Sequence, residues 1–178
     1  MSFSRILPLL GLALFVMLAV SCHAIGWSII DWKIAHDFPQ VKRITPAELA
    51  IWLQDPKRPP PVLLDVRTAA EYEVSHLQRA QRVQPGAPAS VIHLPKDQPI
   101  VTYCSVGYRS GAFAQTLQRA GYTRVLNMEG SIFKWANEGR PLYRDGQPVK
   151  KVHPYNETWG KLLDKTRRAE ITEVHPIK

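Results

Sequence analysis

The sequence segment best suited to chemistry is a loop that begins at Cys104. Residues 104–110 read Cys-Ser-Val-Gly-Tyr-Arg-Ser and lie between an apolar strand pattern and a helix pattern. Open α/β folds bind ligands at the carboxyl ends of their strands. A loop at that position aims backbone N–H groups and the positive end of a helix dipole at one point. Gly107 permits backbone conformations closed to other residues, and Arg109 adds a planar cation suited to oxyanions.

These features predict that Cys104 is a nucleophile beside an anion-binding pocket. Backbone N–H groups, a helix N-terminus and a neighbouring arginine all stabilise a thiolate over a thiol. A lone cysteine is usually a small buried apolar residue, but the pattern C-x-x-G-x-R-S at a strand–helix junction favours the catalytic interpretation. We therefore predict Cys104 as the catalytic residue. The substrate-binding residues predicted with it are Ser105, Val106, Gly107, Tyr108, Arg109 and Ser110.

Composition narrows the class of protein. The 178 residues are 45% hydrophobic and 21% charged, which suits one ordinary domain and excludes a disordered chain. Two cysteines are too few for a disulfide framework or a multi-cysteine zinc site, and the six histidines lack ligand spacing, so we expect no metal. The net charge is +8, but the basic residues are scattered and accompany no recognition helix. We therefore expect no nucleic-acid partner.

The amino-terminal region predicts export or membrane attachment. Positions 6–30 contain no Asp, Glu, Lys or Arg, and a short cationic start precedes them. Residues 1–24 therefore read as a signal peptide or membrane anchor, followed by a tether over 25–39. Three forms stay open: cleavage after Ala24, lipidation of Cys22 in a degenerate lipoprotein box, or an uncleaved helix. Cleavage predicts an exported, periplasmic protein, whereas the lipid or the uncleaved helix predicts a protein bound to the cell membrane through its N-terminus.

After the tether, signals for helix starts alternate with apolar strand patterns, which predicts an α/β domain. Capping boxes at Thr45–Glu48 and Thr68–Glu71 each indicate the start of a helix. Compact apolar runs predict three central strands, at 62–66, 99–103 and 124–128. Because strands alternate with helices, we expect a mainly parallel central sheet with helices on both faces. We place this domain at residues 40–145 and expect a basic, partly helical tail over 146–178.

Three motifs, in the same order along the chain, resemble those of the rhodanese family. The active-site loop of that family is a cysteine, four residues that include a glycine, and an arginine, which Cys104 through Arg109 matches. Residues 64–67, Leu-Asp-Val-Arg, with Glu-Tyr at 71–72 resemble its strand-to-helix stretch. Residues 128–135 resemble its closing Gly-Gly-Ile-x-x-Trp element. The resemblance implies a single rhodanese-like α/β domain.

This resemblance covers about residues 40–143 and includes two departures. The family's Gly-His-Ile-Pro-Gly-Ala is here Ser-His-Leu-Gln-Arg-Ala at 75–80, and the second glycine of the closing pair is Ser131. Both departures concern local turn geometry, and neither concerns the nucleophile.

The resemblance implies sulfur transfer without a cofactor. The Cys104 thiolate would attack the outer sulfur of thiosulfate or a persulfide, and a thiol or another thiophilic acceptor would then remove that sulfur. Arg109 would hold the anionic group of the donor. Asp65, Arg67 and Glu71 are expected to be supporting residues that fix the loop, although an ordinary ion pair would explain them equally well.

Other functions remain as alternatives on the same residues. A rhodanese-like module can carry or sense sulfur, or dock a partner, without turnover. Cysteine phosphatases place five residues between the cysteine and the arginine, whereas this chain has four, which makes a smaller cradle. Arsenate reduction is further disfavoured because no resolving cysteine accompanies Cys104.

Overall fold

The structure, a computed structural model, describes residues 25–170. The predicted signal or anchor at 1–24, with the candidate cleavage site at Ala24 and the candidate lipidation site at Cys22, lies outside the described residues. No helix within 25–170 combines the length and the apolar character that crossing a bilayer requires.

The described residues form a central sheet, a hairpin and surrounding helices. The strands are β1 (Lys42–Ile44), β2 (Val62–Asp65), β3 (Gln81–Arg82), β4 (Ile100–Tyr103), β5 (Val125–Met128), β6 (Leu142–Arg144) and β7 (Gln147–Val149). The helices are α1 (25–37), α2 (Pro46–Gln54), α3 (Ala69–Val74), α4 (Tyr108–Arg119), α5 (Ser131–Asn137) and α6 (Glu157–Gly160), with 3₁₀ turns at Ala89–Val91 and Lys165–Arg167.

The central sheet is parallel and has the order β1-β5-β4-β2-β3. Parallel connections are almost always right-handed, so connections that run in opposite directions along a sheet lie on opposite faces. The connections from β1 to β2 and from β2 to β3 run toward the edge of the sheet formed by β3. Those from β3 to β4 and from β4 to β5 run toward the edge formed by β1. Accordingly, α2 contacts α5, whereas α4 contacts the 3₁₀ turn that precedes β4. The predicted α/β architecture with a parallel sheet is confirmed.

The same strand order positions the functional site. Strands β2 and β4 are neighbours, with Asp65 opposite Tyr103 at their carboxyl ends. The chain leaves these strands toward opposite faces, which opens a crevice of the kind where open α/β sheets bind ligands. The loop after β2 leads to Glu71, and the loop after β4 begins at Cys104. The two loops therefore face one another.

Both predicted capping boxes are present. Thr45 and Glu48 exchange their two hydrogen bonds at the start of α2, with N···O distances of 2.9 and 3.2 Å. Thr68 and Glu71 do the same at the start of α3, at 3.0 and 3.3 Å. The second box has an added consequence, because it holds the Glu71 carboxylate at the crevice.

Residues 25–39, predicted to be a tether, instead form α1 and pack on the domain, so that prediction is wrong. Ile30, Ile34 and Phe38 are spaced four residues apart on one face, and all three are buried in the core. The Phe38 ring fits against α4 because a Cβ atom at Gly111 would lie only 2.7 Å from its Cδ2 atom. The apolar run that precedes α1 masks this amphipathic spacing in the sequence.

The carboxyl-terminal segment is also docked on the domain, at least as far as residue 170. Val152 and Leu163 are fully buried, and the Asn137 side chain exchanges two 2.9 Å hydrogen bonds with the backbone of residues 162 and 164. Asn156 caps a helix as its position predicts, but α6 is only four residues long. The boundary predicted at residue 145 falls in the turn between β6 and β7.

The turn at 77–80 keeps a left-handed residue where the family has glycine. The Ala80 N–H donates to the Leu77 carbonyl at 3.1 Å, and Arg79, which is exposed, has a φ of 60°. A type II turn requires this geometry at its third residue, which is why glycine favours the position. The departure from the family pattern therefore changes the residue and preserves a left-handed turn.

Replacing Arg79 with glycine is expected to raise the free energy of unfolding by about 1 kcal/mol. A non-glycine residue is disfavoured in the left-handed region by roughly 1–2 kcal/mol, and the greater freedom of glycine in the unfolded chain offsets part of that gain. Urea unfolding measures the change. Arg79→Ala is the matched control, because it removes the side chain but keeps Cβ. An equal gain from alanine would mean that the arginine side chain, and not the backbone, is responsible.

Candidate active site

Cys104 lies at the bottom of the crevice, at the start of a loop that closes around its sulfur. Only 1% of the Cys104 surface is exposed, and the Gly107 N–H donates a hydrogen bond to Sγ at 3.1 Å. Gly107 is also the N-cap residue of α4, so the positive end of that helix faces the sulfur. The Gly107 N–H and the N-terminus of α4 thus both lie at the Cys104 sulfur.

The carbonyls of Cys104, Ser105 and Gly107 have hydrogen-bond partners outside the space around the sulfur. The first turn of α5 donates to the carbonyls of Cys104 and Ser105, each at 3.1 Å, through the N–H groups of residues 132 and 133. The Gly107 carbonyl accepts from Nδ2 of Asn127 at 2.9 Å. These contacts fix the loop backbone and keep the Gly107 N–H aimed at the sulfur, which favours an anion there.

Ser131 supports the base of the loop. Its Oγ accepts the Cys104 N–H at 3.1 Å and donates to the Met128 carbonyl at 3.1 Å. Ser131 has a φ of 48°, in the left-handed region that favours glycine. The departure from the second glycine of the family motif therefore adds a hydroxyl group that fixes the nucleophile's backbone.

Glu71 joins the two facing loops. Its carboxylate accepts two hydrogen bonds from the Arg109 guanidinium, at 2.9 and 2.7 Å, and one from Oγ of Ser105 at 2.8 Å. Arg109 also donates to Oγ of Ser105 at 3.0 Å. The carboxylate thus connects α3 to the Cys104 loop through a bidentate ion pair, the strongest form of such a contact.

The electrostatics of this pair favour the charged state of both groups. Burial alone would raise the pKa of Glu71, but the hydrogen bond and charge of Arg109, with hydrogen bonds from Ser105 and the Thr68 backbone, lower it from 4.5 to about 2. Burial opposes the charge of Arg109, yet the bond to Glu71 and the nearby Cys104 sulfur raise its pKa above the ordinary value. The site therefore contains a fixed, compensated ion pair.

Asp65 and Arg67 form a separate ion pair beneath the crevice. Both side chains are fully buried, and two guanidinium nitrogens of Arg67 contact the Asp65 carboxylate at 2.6–3.1 Å. Arg67 also donates to the Ser75 carbonyl at 2.6 Å, which ties the end of α3 to β2. These contacts fix the strand–helix connection and involve no residue of the Cys104 loop. Of the three predicted supporting residues, Glu71 is the one that touches the loop.

The predicted substrate-binding residues divide into three groups. Ser105, Val106, Tyr108 and Arg109 line a cavity of about 340 Å³ with Cys104. Gly107 contacts the sulfur through its backbone. Ser110 is fully buried within α4, where its carbonyl accepts from Thr102 at 3.1 Å, and it does not line that cavity.

The remaining walls of the cavity come from segments that the sequence did not assign to the site. They are Ile30 and Lys33 of α1, and Tyr155 and Trp159 of the carboxyl-terminal segment. Tyr108 connects the loop to α1, since its hydroxyl donates to Asp37 at 2.8 Å. The spacing of Ile30, Ile34 and Phe38 is the signal that could have placed α1 here. We find no comparable signal for Tyr155 and Trp159.

Replacing Gly107 with alanine is expected to reduce turnover by about ten- to a hundredfold, somewhat less than the roughly hundred- to thousandfold cost of removing a positioned donor, because the N–H is kept but misdirected. The φ of Gly107 is 112°, which is strained for alanine, and an added Cβ would lie 3.1 Å from Cδ1 of Ile34, so the substitution disturbs the backbone that aims this N–H at Sγ. Steady-state kinetics measure the loss. Gly121→Ala is the matched control: its φ is 90°, no other atom lies within 4 Å of the added Cβ, and it is remote from the loop. Equal losses in both variants would contradict a local role for Gly107.

Comparison with protein families identifies a known domain in this part of the chain. The model of the rhodanese-like domain matches residues 45–138, which include β2, the Cys104 loop and α5. A sulfurtransferase from Allochromatium vinosum is 37% identical over 82 residues, which cover 46% of this chain and 77% of that protein. The chain belongs to the rhodanese-like domain family.

Other relatives show how widely this domain is used. "Probable adenylyltransferase/sulfurtransferase MoeZ" of Mycobacterium tuberculosis is 31% identical over 118 residues, 61% of this chain but 29% of that protein. A tRNA uridine(34) hydroxylase of Erwinia tasmaniensis is 31% identical over 127 residues, 66% of this chain and 35% of that protein. The chain thus spans about a third of the length of these two relatives. A solved rhodanese-like domain protein from Staphylococcus aureus superposes with a TM-score of 0.52 at 25% identity, over 59% of this chain and 99% of that one.

Proposed function

We propose that the protein is a sulfurtransferase that carries sulfur as a persulfide on Cys104. In the first half-reaction the Cys104 thiolate attacks the outer sulfur of thiosulfate or a persulfide. A new S–S bond forms to Sγ, the donor's own bond to that sulfur breaks, and its electron pair leaves on sulfite or a thiolate. In the second half-reaction a thiophilic acceptor such as cyanide takes the outer sulfur, and the electron pair returns to Sγ.

The observation that carries this proposal is the position of the Gly107 N–H and the N-terminus of α4 at Sγ of Cys104. The carbonyls of the loop are held outward, and the Gly107 N–H lies 3.1 Å from Sγ. Both the thiolate and the terminal sulfur of a persulfide are anions, so the same N–H groups and helix N-terminus stabilise the enzyme before and after sulfur uptake. A loop of four residues between Cys104 and Arg109 gives a small cradle, which suits a sulfur atom better than a tetrahedral phosphate.

The proposed role of Arg109 changes in light of its contacts. Two of its nitrogens bind Glu71, so the guanidinium is held in place and partly neutralised before any donor arrives. Arg109 therefore fixes Ser105 and the loop, and it presents only its remaining edge to the cavity. The Gly107 N–H and the N-terminus of α4 supply most of the anion stabilisation.

Release of thiocyanate from thiosulfate and cyanide tests the proposal. Wild-type protein is expected to form thiocyanate with ping-pong kinetics. Absence of both thiocyanate and sulfur uptake would contradict sulfur transfer. Uptake of one sulfur from thiosulfate without turnover would instead identify a sulfur-carrier module, the alternative that shares the Cys104 persulfide.

We further propose that the protein is exported, either into the periplasm or onto the cell membrane, to which its amino terminus would attach it. Support comes from the uncharged stretch at 6–24 and from the outer face of α1, which continues from it. Ile25, Ile29 and Trp32 share that face and are all well exposed. An apolar stripe next to a candidate anchor suits a bilayer surface, where tryptophan is enriched.

Fractionation and intact mass test this placement. We expect the protein in the membrane or periplasmic fraction, with a mass that reports cleavage after Ala24, a lipid on Cys22, or neither change. Recovery of the full-length, unmodified chain in the cytoplasmic fraction would contradict the proposal.

A further inference from the structure

The cavity above Cys104 has apolar walls that the sulfur chemistry does not require. Among its lining residues, Ile30 and Val106 are buried, while Tyr108, Tyr155 and Trp159 each expose about two fifths of their surface. The family's loop supplies Cys104, Val106 and Tyr108. The outer wall comes from α1 and the carboxyl-terminal segment, both outside the residues that match the family. This chain has therefore added an apolar, largely aromatic wall to a common sulfur-handling loop.

The two added segments form one wall. A Cβ atom at Gly26 of α1 would lie 3.1 Å from Cδ2 of Leu162, so the segments are in contact beside the cavity. Tyr155 stacks over the Arg109 guanidinium at 4.9 Å, and its φ is 66°. A bulky residue in the left-handed region is strained, and such strain persists where the surrounding structure fixes it, often at ligand sites.

Charge in the cavity does not suit a small dianion. The cations that line it are Lys33 and Arg109, and both have carboxylate partners: Asp37 at 2.9 Å and Glu71 at 2.7 Å. The Gly107 N–H and the N-terminus of α4 remain for one negative charge near Sγ. A second charge, such as thiosulfate carries, would have to lie against apolar side chains, which is unfavourable.

From these observations we infer that the preferred sulfur donor is a small organic molecule whose transferable sulfur is attached to an apolar group. The inference rests on the proposed sulfurtransferase activity and specifies its donor. The sulfur of the donor would lie at Sγ of Cys104, and its apolar body between Ile30, Tyr155 and Trp159. A volume of about 340 Å³ above a buried sulfur suits a small ligand better than a protein surface.

Two thiosulfonates of the form R–SO₂–S⁻ make a matched pair of probes, with R either methyl or phenyl. In both, the Cys104 thiolate attacks the terminal sulfur, the S–S bond of the donor breaks, and its electron pair leaves on the sulfinate R–SO₂⁻. No oxidant or reductant is consumed. The rate of thiocyanate release with cyanide gives kcat/KM for each probe, after subtraction of the reaction without protein.

The variants Trp159→Ala, Trp159→Phe and Trp32→Ala separate wall contacts from intrinsic donor reactivity. In the protein as isolated from cells, Trp159→Ala is expected to lower the phenyl-to-methyl ratio of kcat/KM by about tenfold, as loss of an aromatic wall contact implies. Trp159→Phe should restore much of the ratio. Trp32 is the matched control, because it is exposed on the outer face of α1 and does not line the cavity.

Distinct results would overturn the inference and the function on which it rests. A ratio that is the same in wild type, Trp159→Ala and Trp32→Ala, with thiosulfate turnover intact, would overturn the apolar donor and leave sulfur transfer standing. No thiocyanate from any donor, thiosulfate included, would overturn both. An unchanged melting temperature in Trp159→Ala shows that a fall in the ratio reflects the wall and not unfolding.

Discussion

Replacing Cys104 with serine is expected to abolish thiocyanate formation, with a loss of more than about a thousandfold in kcat. A serine hydroxyl at this position keeps the loop contacts but cannot form a persulfide. The protein should remain folded, because the two side chains have nearly the same shape. Colorimetric detection of thiocyanate from thiosulfate and cyanide measures the loss, and the far-UV circular dichroism spectrum confirms the fold.

The control for this substitution is Cys22→Ser, the same change at the other cysteine. It is expected to retain turnover in the assay, because the proposed role of Cys22 concerns attachment and not chemistry. Residual activity in Cys104→Ser close to that of wild type would contradict the assignment of the nucleophile. Loss of activity in Cys22→Ser, with activity retained in Cys104→Ser, would mean that Cys22 and not Cys104 is the nucleophile.

Replacing Glu71 with glutamine is expected to lower the free energy of unfolding by about 2–3 kcal/mol and to reduce kcat as well. The Glu71 side chain is 2% exposed and neutralises Arg109, so the substitution leaves a mostly buried guanidinium without its partner. The glutamine amide also has one acceptor oxygen where the carboxylate has two, so it cannot accept from Arg109, Ser105 and Thr68 together, and the loop around Sγ loosens. Urea unfolding measures the first effect, and steady-state kinetics measure the second.

The same ion pair predicts how stability depends on pH. The pKa of Glu71 is about 2 in the folded protein against an ordinary value of 4.5, so the folded state binds fewer protons between these values. This contribution is present above about pH 5 and is lost as the pH falls toward about 2. Stability measured over this range should therefore fall more steeply in wild type than in Glu71→Gln.

Glu48→Gln is a matched control for Glu71→Gln. Glu48 has the same place in a capping box, at the start of α2, but it is exposed and forms no ion pair with any residue between 25 and 170. Its replacement is expected to cost less stability than that of Glu71 and to leave kcat unchanged. Equal effects at both positions would mean that capping, and not the pair with Arg109, explains the role of Glu71.

The elements with strong local signals could be predicted from the sequence. The capping boxes at Thr45 and Thr68 locate two helix starts, since each depends on residues three positions apart. The central strands are compact apolar runs, and each was located to within two residues at either end. The Cys104 loop was recognised because its glycine and arginine lie within five residues of the nucleophile.

Features that depend on distant contacts could not be read in this way. Strands β1 and β3 have three and two residues, too few to show a period, and are defined by their pairing with β5 and β2. Glu71 was expected to support the loop, but its pairing with Arg109, 38 positions later, follows from the parallel arrangement of β2 and β4. The role of Ser131 likewise depends on a contact with Cys104, 27 positions earlier.

The outer segments are where the sequence interpretation was least accurate. The sequence predicts a tether in place of helix α1 because the uncharged run before it obscures its buried face. It predicts a basic, partly helical tail, yet nothing in the spacing of that tail places Tyr155 and Trp159 over Cys104. These two segments lie outside the residues that match the family, and together they shape the cavity.

The most direct test of the central claim is the mass of the protein after incubation with thiosulfate and removal of excess donor. We predict a gain of one sulfur atom, located by fragmentation to the peptide that contains Cys104 and removed again by cyanide. A protein that gains no sulfur, or that gains it at Cys22 while Cys104 remains unmodified, would contradict the persulfide mechanism.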